Sequence, residues 1–64
     1  MGKVFSSREI IKRLKADGWY LDTVEGDHHQ FKHPTKSGKV TVTHPVKDIY
    51  GHTLDSIFKQ AGWK

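Results

Sequence analysis

The sequence predicts an α+β domain in the order α-β-β-β-α, with a three-stranded antiparallel sheet and two helices packed on one of its faces. Two stretches near the ends carry apolar residues at helical spacing, Ile10/Ile11/Leu14 and Leu54/Ile57/Phe58/Ala61. Three short alternating or β-branched runs lie between them, separated by turns rich in Gly and Pro. In a chain of 64 residues neither helical stripe has a partner except the sheet, so both cover the same face. The other sheet face is left open to solvent.

Residues 1–4 form a short lead-in. Ser6 is placed to cap the first helix, and Glu9, three residues on, is placed to reach back to it as a capping box. Phe5 and Ile10 have the spacing of a hydrophobic staple. Arg8, Lys12, Arg13 and Lys15 fall on the solvent side of this helix, and Gly18 ends it. Residues 19–24 read as the first strand and 25–27 as a tight turn. Residues 28–33 form the second strand, and 34–38 a longer loop. Residues 39–44 form the third strand, with Val40 and Val42 on one side and Lys39, Thr41 and Thr43 on the other. Pro45 stops it, because proline has no amide proton for the ladder. Residues 46–52 show no period. Residues 53–61 form the second helix, closed by Gly62, and Trp63 is expected to fold back on the core. Trp19, just after a helix end, is expected to pack in the core. The layout is that of the double-stranded-RNA-binding domain, which reads nucleic-acid shape and backbone; layout alone does not assign function.

This length predicts one domain over 1–64, with a thin core that buries only about 60% of the unfolded surface. Cysteine is absent, which removes disulfides and thiolate chemistry. No apolar run has the length of a signal core or a membrane span, so the expectation is a soluble, cytoplasmic protein. The net charge of +4 and pI near 9.6 favour a polyanionic partner.

Three of the five histidines fall within residues 26–34, GDHHQFKHP. Strand alternation puts His29, Phe31 and His33 on one side, and His28, Gln30 and Lys32 on the other. Phe31 is the strong hydrophobe, so its side is the buried one and His28 begins the open row. An imidazole in line with a cation on an open face has the means to act on a phosphodiester. Lys32, Lys36 and Lys39 are the candidate phosphate contacts, with Thr41 and Thr43 as hydrogen-bond donors. Arg8, Lys12, Arg13 and Lys15 are either a second RNA surface or ordinary solvent-side charge. His29 and His33 are expected to be partly buried and hydrogen-bonded, and His44 to pack or to pair with a backbone carbonyl. No metal site is expected, because His28 and His33 project to opposite faces and the usual thiolates and clustered carboxylates are missing.

Several motifs in order resemble the HicA toxins. These are Ser6-Ser7-Arg8-Glu9-Ile10-Ile11, Asp17-Gly18-Trp19, and Gly26-x-His28-His29-Gln30-Phe31-Lys32-His33-Pro34. Val40-Thr41-Val42-x-His44-Pro45, Thr53-Leu54-x-Ser56-Ile57 and Lys59-Gln60-Ala61-Gly62 follow. The resemblance implies a double-stranded-RNA-binding-like fold and an endoribonuclease that cleaves mRNA without a metal or other cofactor. It also implies growth arrest by the free toxin and neutralisation by a HicB-like antitoxin covering the active site. The family's catalytic histidine falls on His28, with Gly26, Asp27 and Gln30 beside it. Two positions depart from the family pattern. Asp27 stands where serine is usual; a carboxylate there favours a protonated imidazole and repels an approaching phosphate. His52 stands where glycine often precedes the last helix. The competing expectations are a non-catalytic double-stranded-RNA-binding module and an inactive toxin retained for antitoxin binding.

Overall fold

The computed structural model describes residues 3–64, so the first two residues of the expected lead-in lie outside the described residues. The elements are α1 (Ser7–Ala16), β1 (Tyr20–Glu25), β2 (His28–Lys32), β3 (Val40–Thr43) and α2 (Gly51–Ala61). The sheet is antiparallel in the order β1-β2-β3, and both helices lie against β3. This is the expected double-stranded-RNA-binding-domain-like arrangement. Ile10 and Leu14 of α1 and Leu54, Ile57 and Ala61 of α2 meet Phe31, Val40 and Val42 in one core.

The start of α1 forms locally. The Ser6 hydroxyl accepts the Glu9 amide at 3.1 Å, and the Glu9 carboxylate accepts the Ser6 amide at 2.9 Å. Both helices then end on a Gly-Trp pair. The Trp19 amide donates to the Leu14 carbonyl at 2.9 Å, and the Trp63 amide to the Phe58 carbonyl at 2.9 Å. This is the Schellman closure, which needs a left-handed residue at the helix exit. Gly18 supplies it with φ 98°, and a Cβ there would stand 2.8 Å from the His33 ring. A side chain at position 18 is therefore excluded twice, by backbone and by space.

The two tryptophans converge on Asp17. Its Oδ2 accepts the indole N–H of Trp19 at 3.2 Å, that of Trp63 at 3.1 Å, and the Lys36 ammonium at 2.8 Å. Lys36 also donates to the Ala61 carbonyl at 3.1 Å, so one lysine joins the C-terminal ends of both helices. The Lys36 bond, with help from the Trp63 indole, holds the Asp17 carboxyl down from 3.8 to about 2. A carboxyl lowered on folding contributes stability that is complete above its unfolded value and lost as pH falls through its folded value. Asp17 therefore contributes fully above pH 4 and loses its contribution towards pH 2. Thermal melts of Asp17→Asn should be lowered at neutral pH and should show a weaker pH dependence between 4 and 2 than wild type. Glu9 and Asp55, also lowered by hydrogen bonds, leave a residual acid sensitivity in the variant.

Several boundaries differ from the sequence reading. β1 is displaced by one residue, since Trp19 is spent on the helix closure. It carries a bulge at Asp22, between the Leu21–Phe31 and Thr23–Gln30 pairings. The helices cover β3 and leave β1 overhanging, so Leu21 and Val24 remain about half exposed despite facing the helix side. β2 stops at Lys32 and β3 at Thr43, each one residue early; the chain then turns through a cis His44–Pro45 bond. The aperiodic segment contains buried Ile49, which exchanges backbone bonds with Phe5 at 3.0 and 2.7 Å. α2 begins at Gly51, two residues before the expected start, capped by Tyr50 without a side-chain bond. The free edge of β3 is covered from α2, where the Gln60 side chain accepts the Thr41 amide at 3.1 Å. None of the described helices is long and apolar enough to cross a membrane.

Candidate active site

His28 opens β2 immediately after the two-residue turn Gly26–Asp27. Gly26 has φ 59°, the value that the first position of a type II′ hairpin turn requires. In register, His28 stands between Glu25 of β1 and Thr43 of β3. Its side chain is 61% exposed, and Nε2 lies 3.6 Å from the Asp27 carboxylate. The ring is therefore held at the head of the sheet, on the uncovered side, and is open to a large substrate.

The charges around it differ from the expected row. Its charged neighbours are the carboxylates of Asp27 and Glu25. Lys32 shares the open side but is four residues along the strand, or roughly 13 Å at about 3.3 Å per residue. It pairs with Asp22 at 3.8 Å. Lys36 is engaged by Asp17 and Ala61 beyond the far end of β2, and exposed Lys39 precedes β3 at that same end. The candidate lysines therefore do not gather at the imidazole. Gln30 reaches towards Glu25 at 3.5 Å. Half-buried Thr41 and Thr43 line a hollow of about 470 Å3 between β3 and α2, with Asp48, Tyr50 and Thr53.

The other histidines of the central segment have structural partners, as expected. The His33 Nδ1 accepts the amides of Thr35 and Lys36 at 3.1 and 3.2 Å, which leaves the proton on Nε2 to donate to the Asp17 carbonyl at 2.8 Å. His29 is half-buried with Nδ1 3.3 Å from the Asp27 carbonyl. His44 packs, one of its two expected roles, with its ring edge-on to that of His29 at a centroid distance of 5.1 Å. Its partner is the Ser7 hydroxyl, 2.6 Å from Nδ1, and not a backbone carbonyl. Ser7 accepts the Val46 amide at 2.9 Å, so its own proton goes to His44. A serine–histidine bond invites comparison with a nucleophile and its base. Ser7 is only 1% exposed, however, and no substrate reaches it. The bond instead fixes the tautomer of His44, with the remaining proton on Nε2. The two residues are 37 apart in sequence, and no local pattern signals their contact.

Among the described residues, no three His, Cys, Asp or Glu side chains are brought together as a metal site needs. The chemistry available at the exposed position is proton exchange by an imidazole beside two carboxylates.

Among curated proteins, none matches the chain significantly. The family described as HicA toxin of bacterial toxin-antitoxin matches it over residues 7–63, from the start of α1 to the tryptophan after α2. The match includes the Gly26–Pro34 stretch, both Gly-Trp helix ends and the His44-Pro45 corner. Membership in a toxin–antitoxin family implies an antitoxin partner. The chain belongs to the HicA toxin family.

Proposed function

We propose that this toxin is a metal-independent endoribonuclease acting on mRNA, with His28 as its proton carrier and a HicB-like protein as its antitoxin. The observation that carries the reading is the exposed His28 imidazole at the head of an uncovered sheet, in the position where HicA toxins are expected to hold their catalytic histidine. RNA contributes its own nucleophile. The base removes the 2′-hydroxyl proton, the 2′-oxygen forms a bond to phosphorus, and the P–O5′ bond breaks. The 5′-oxygen leaves with a proton from an acid or from water. The products are a 2′,3′-cyclic phosphate and a free 5′-hydroxyl. A single proton carrier makes a slow enzyme, but one cut per message suffices to arrest growth in the cytoplasm.

The test is incubation of purified protein with mRNA in excess EDTA. Fragments ending in 2′,3′-cyclic phosphate are expected. Loss of cutting in EDTA, or fragments with 5′-phosphates, would overturn the mechanism.

Asp27 and Glu25 beside His28 favour one alternative, a chain that binds RNA and cuts it poorly, or is kept for its antitoxin. Repulsion of an incoming phosphate by Asp27 is relieved in Asp27→Ser. That variant should cut RNA faster than wild type, on the order of tenfold for about 1.4 kcal/mol of recovered interaction. Equal rates, measured side by side, would mean that the carboxylate does not limit turnover. For RNA contacts, Lys32, Lys39, Thr41 and Thr43 remain proposed, whereas Lys36 is left out because its ammonium serves the two helix ends.

A further inference from the structure

On the reading that RNA is the ligand, we propose that the cleft beside the Gly26–Asp27 turn holds a backbone phosphate of the substrate strand, bound by Arg8, Lys47 and the Nε2–H of His44. Phosphodiester cleavage needs positive charge near the phosphate. The open side around His28 offers Asp27 and Glu25 instead. A cleft of about 580 Å3 lies at the same end of the sheet, walled by Arg8, His44, Pro45, Val46 and Lys47. It adjoins the turn directly: the His44 amide donates to the Asp27 carbonyl at 2.8 Å, and Thr43 pairs with His28.

Three features make the cleft a place for an anion. Arg8 and Lys47 have no ion-pair partner among the described residues, where Lys32, Lys36 and Lys64 each have one. The ring of His44 is fixed by the buried Ser7 hydroxyl as an Nε2–H donor. That Nε2 has no hydrogen-bond partner among the described residues, yet it is not sealed from solvent. The end of α1 is not itself the attraction, because Ser6 and Glu9 already occupy donors there. Two unpaired cations and one neutral donor suit the single negative charge of a phosphodiester. A strand presented to His28 would continue round the end of the sheet into this cleft.

The test uses the His28→Ala protein, so that RNA stays intact, and a fluorescent single-stranded RNA titrated at several salt concentrations. Adding Arg8→Gln and Lys47→Gln should flatten the slope of log K against log salt by about 0.7, the value for one phosphate of a single strand. At 0.1 M salt this is a loss of about fivefold in affinity. Lys3→Gln with Lys59→Gln removes the same charge from exposed positions outside the cleft and should leave the slope nearly unchanged. If the two double variants bind alike, the cleft is not a phosphate site, while the nuclease reading survives. If the His28→Ala parent binds no RNA, the nuclease reading fails and the cleft proposal fails with it.

Discussion

His28→Ala should bind mRNA as wild type does and leave it uncut. General acid–base catalysis by a positioned side chain contributes typically about 10²–10⁴-fold, and a fall of this size takes a slow nuclease below detection. The ring is exposed, supports no core contact and makes its nearest polar approach to Asp27 at 3.6 Å, so its removal leaves the fold in place. Cells expressing wild type without antitoxin should stop growing, and cells expressing the alanine variant should grow. Thermal melts of the two proteins should coincide, which separates lost chemistry from lost structure. Continued cutting by the variant would remove His28 from the mechanism.

Phe31→Ala has the largest expected effect on stability. Phe31 is 1% exposed and lies mid-strand, paired with Leu21 on one side and Val40 on the other. Truncating a buried phenylalanine costs about 3–5 kcal/mol, from lost transfer energy and the cavity left behind. At about 0.05–0.15 kcal/mol per residue, a chain of 64 residues has roughly 3–10 kcal/mol in total. The variant should therefore show little or no cooperative melt at 37 °C, and should lose toxicity together with its circular-dichroism signal. Thr23→Ala, at an exposed position of β1, should change stability by less than about 0.5 kcal/mol. A cooperative melt of Phe31→Ala near the wild-type temperature would mean that the core is not organised about this ring.

What could be read in the sequence lies within a few residues of itself. The capping box of α1 depends on Ser6 and Glu9 alone. The helix stops depend on Gly18 and Gly62, and the side on which His28 emerges depends on alternation about Phe31. Patterns of this kind are set by backbone period and by short-range hydrogen bonds, so the fold class and the exposure of His28 were both legible. The covering of β1 was not. Strict alternation puts Leu21 and Val24 on opposite faces; the bulge at Asp22 brings both to the helix side, and where the helices lie is set by packing on β3.

Proximity in sequence misled at the lysines. Lys32, Lys36 and Lys39 are near His28 in number, but an extended strand carries Lys32 roughly 13 Å away. The turn that follows delivers Lys36 to Asp17. Contacts that join distant segments carry no periodic signature. Ser7 meets His44, and the indoles of Trp19 and Trp63 meet on one carboxylate, only after the helices have docked on the sheet.

The sequence by itself determined the order of elements, the capping box of α1, the glycine helix stops, the apolar stripes and the exposure of the His28 imidazole, because each follows from neighbours along the chain. Only the tertiary structure decided which charges surround that imidazole and which cations border the cleft beside it. Those depend on where sheet pairing and helix docking bring remote side chains together, and electrostatic interaction follows distance in space rather than along the chain.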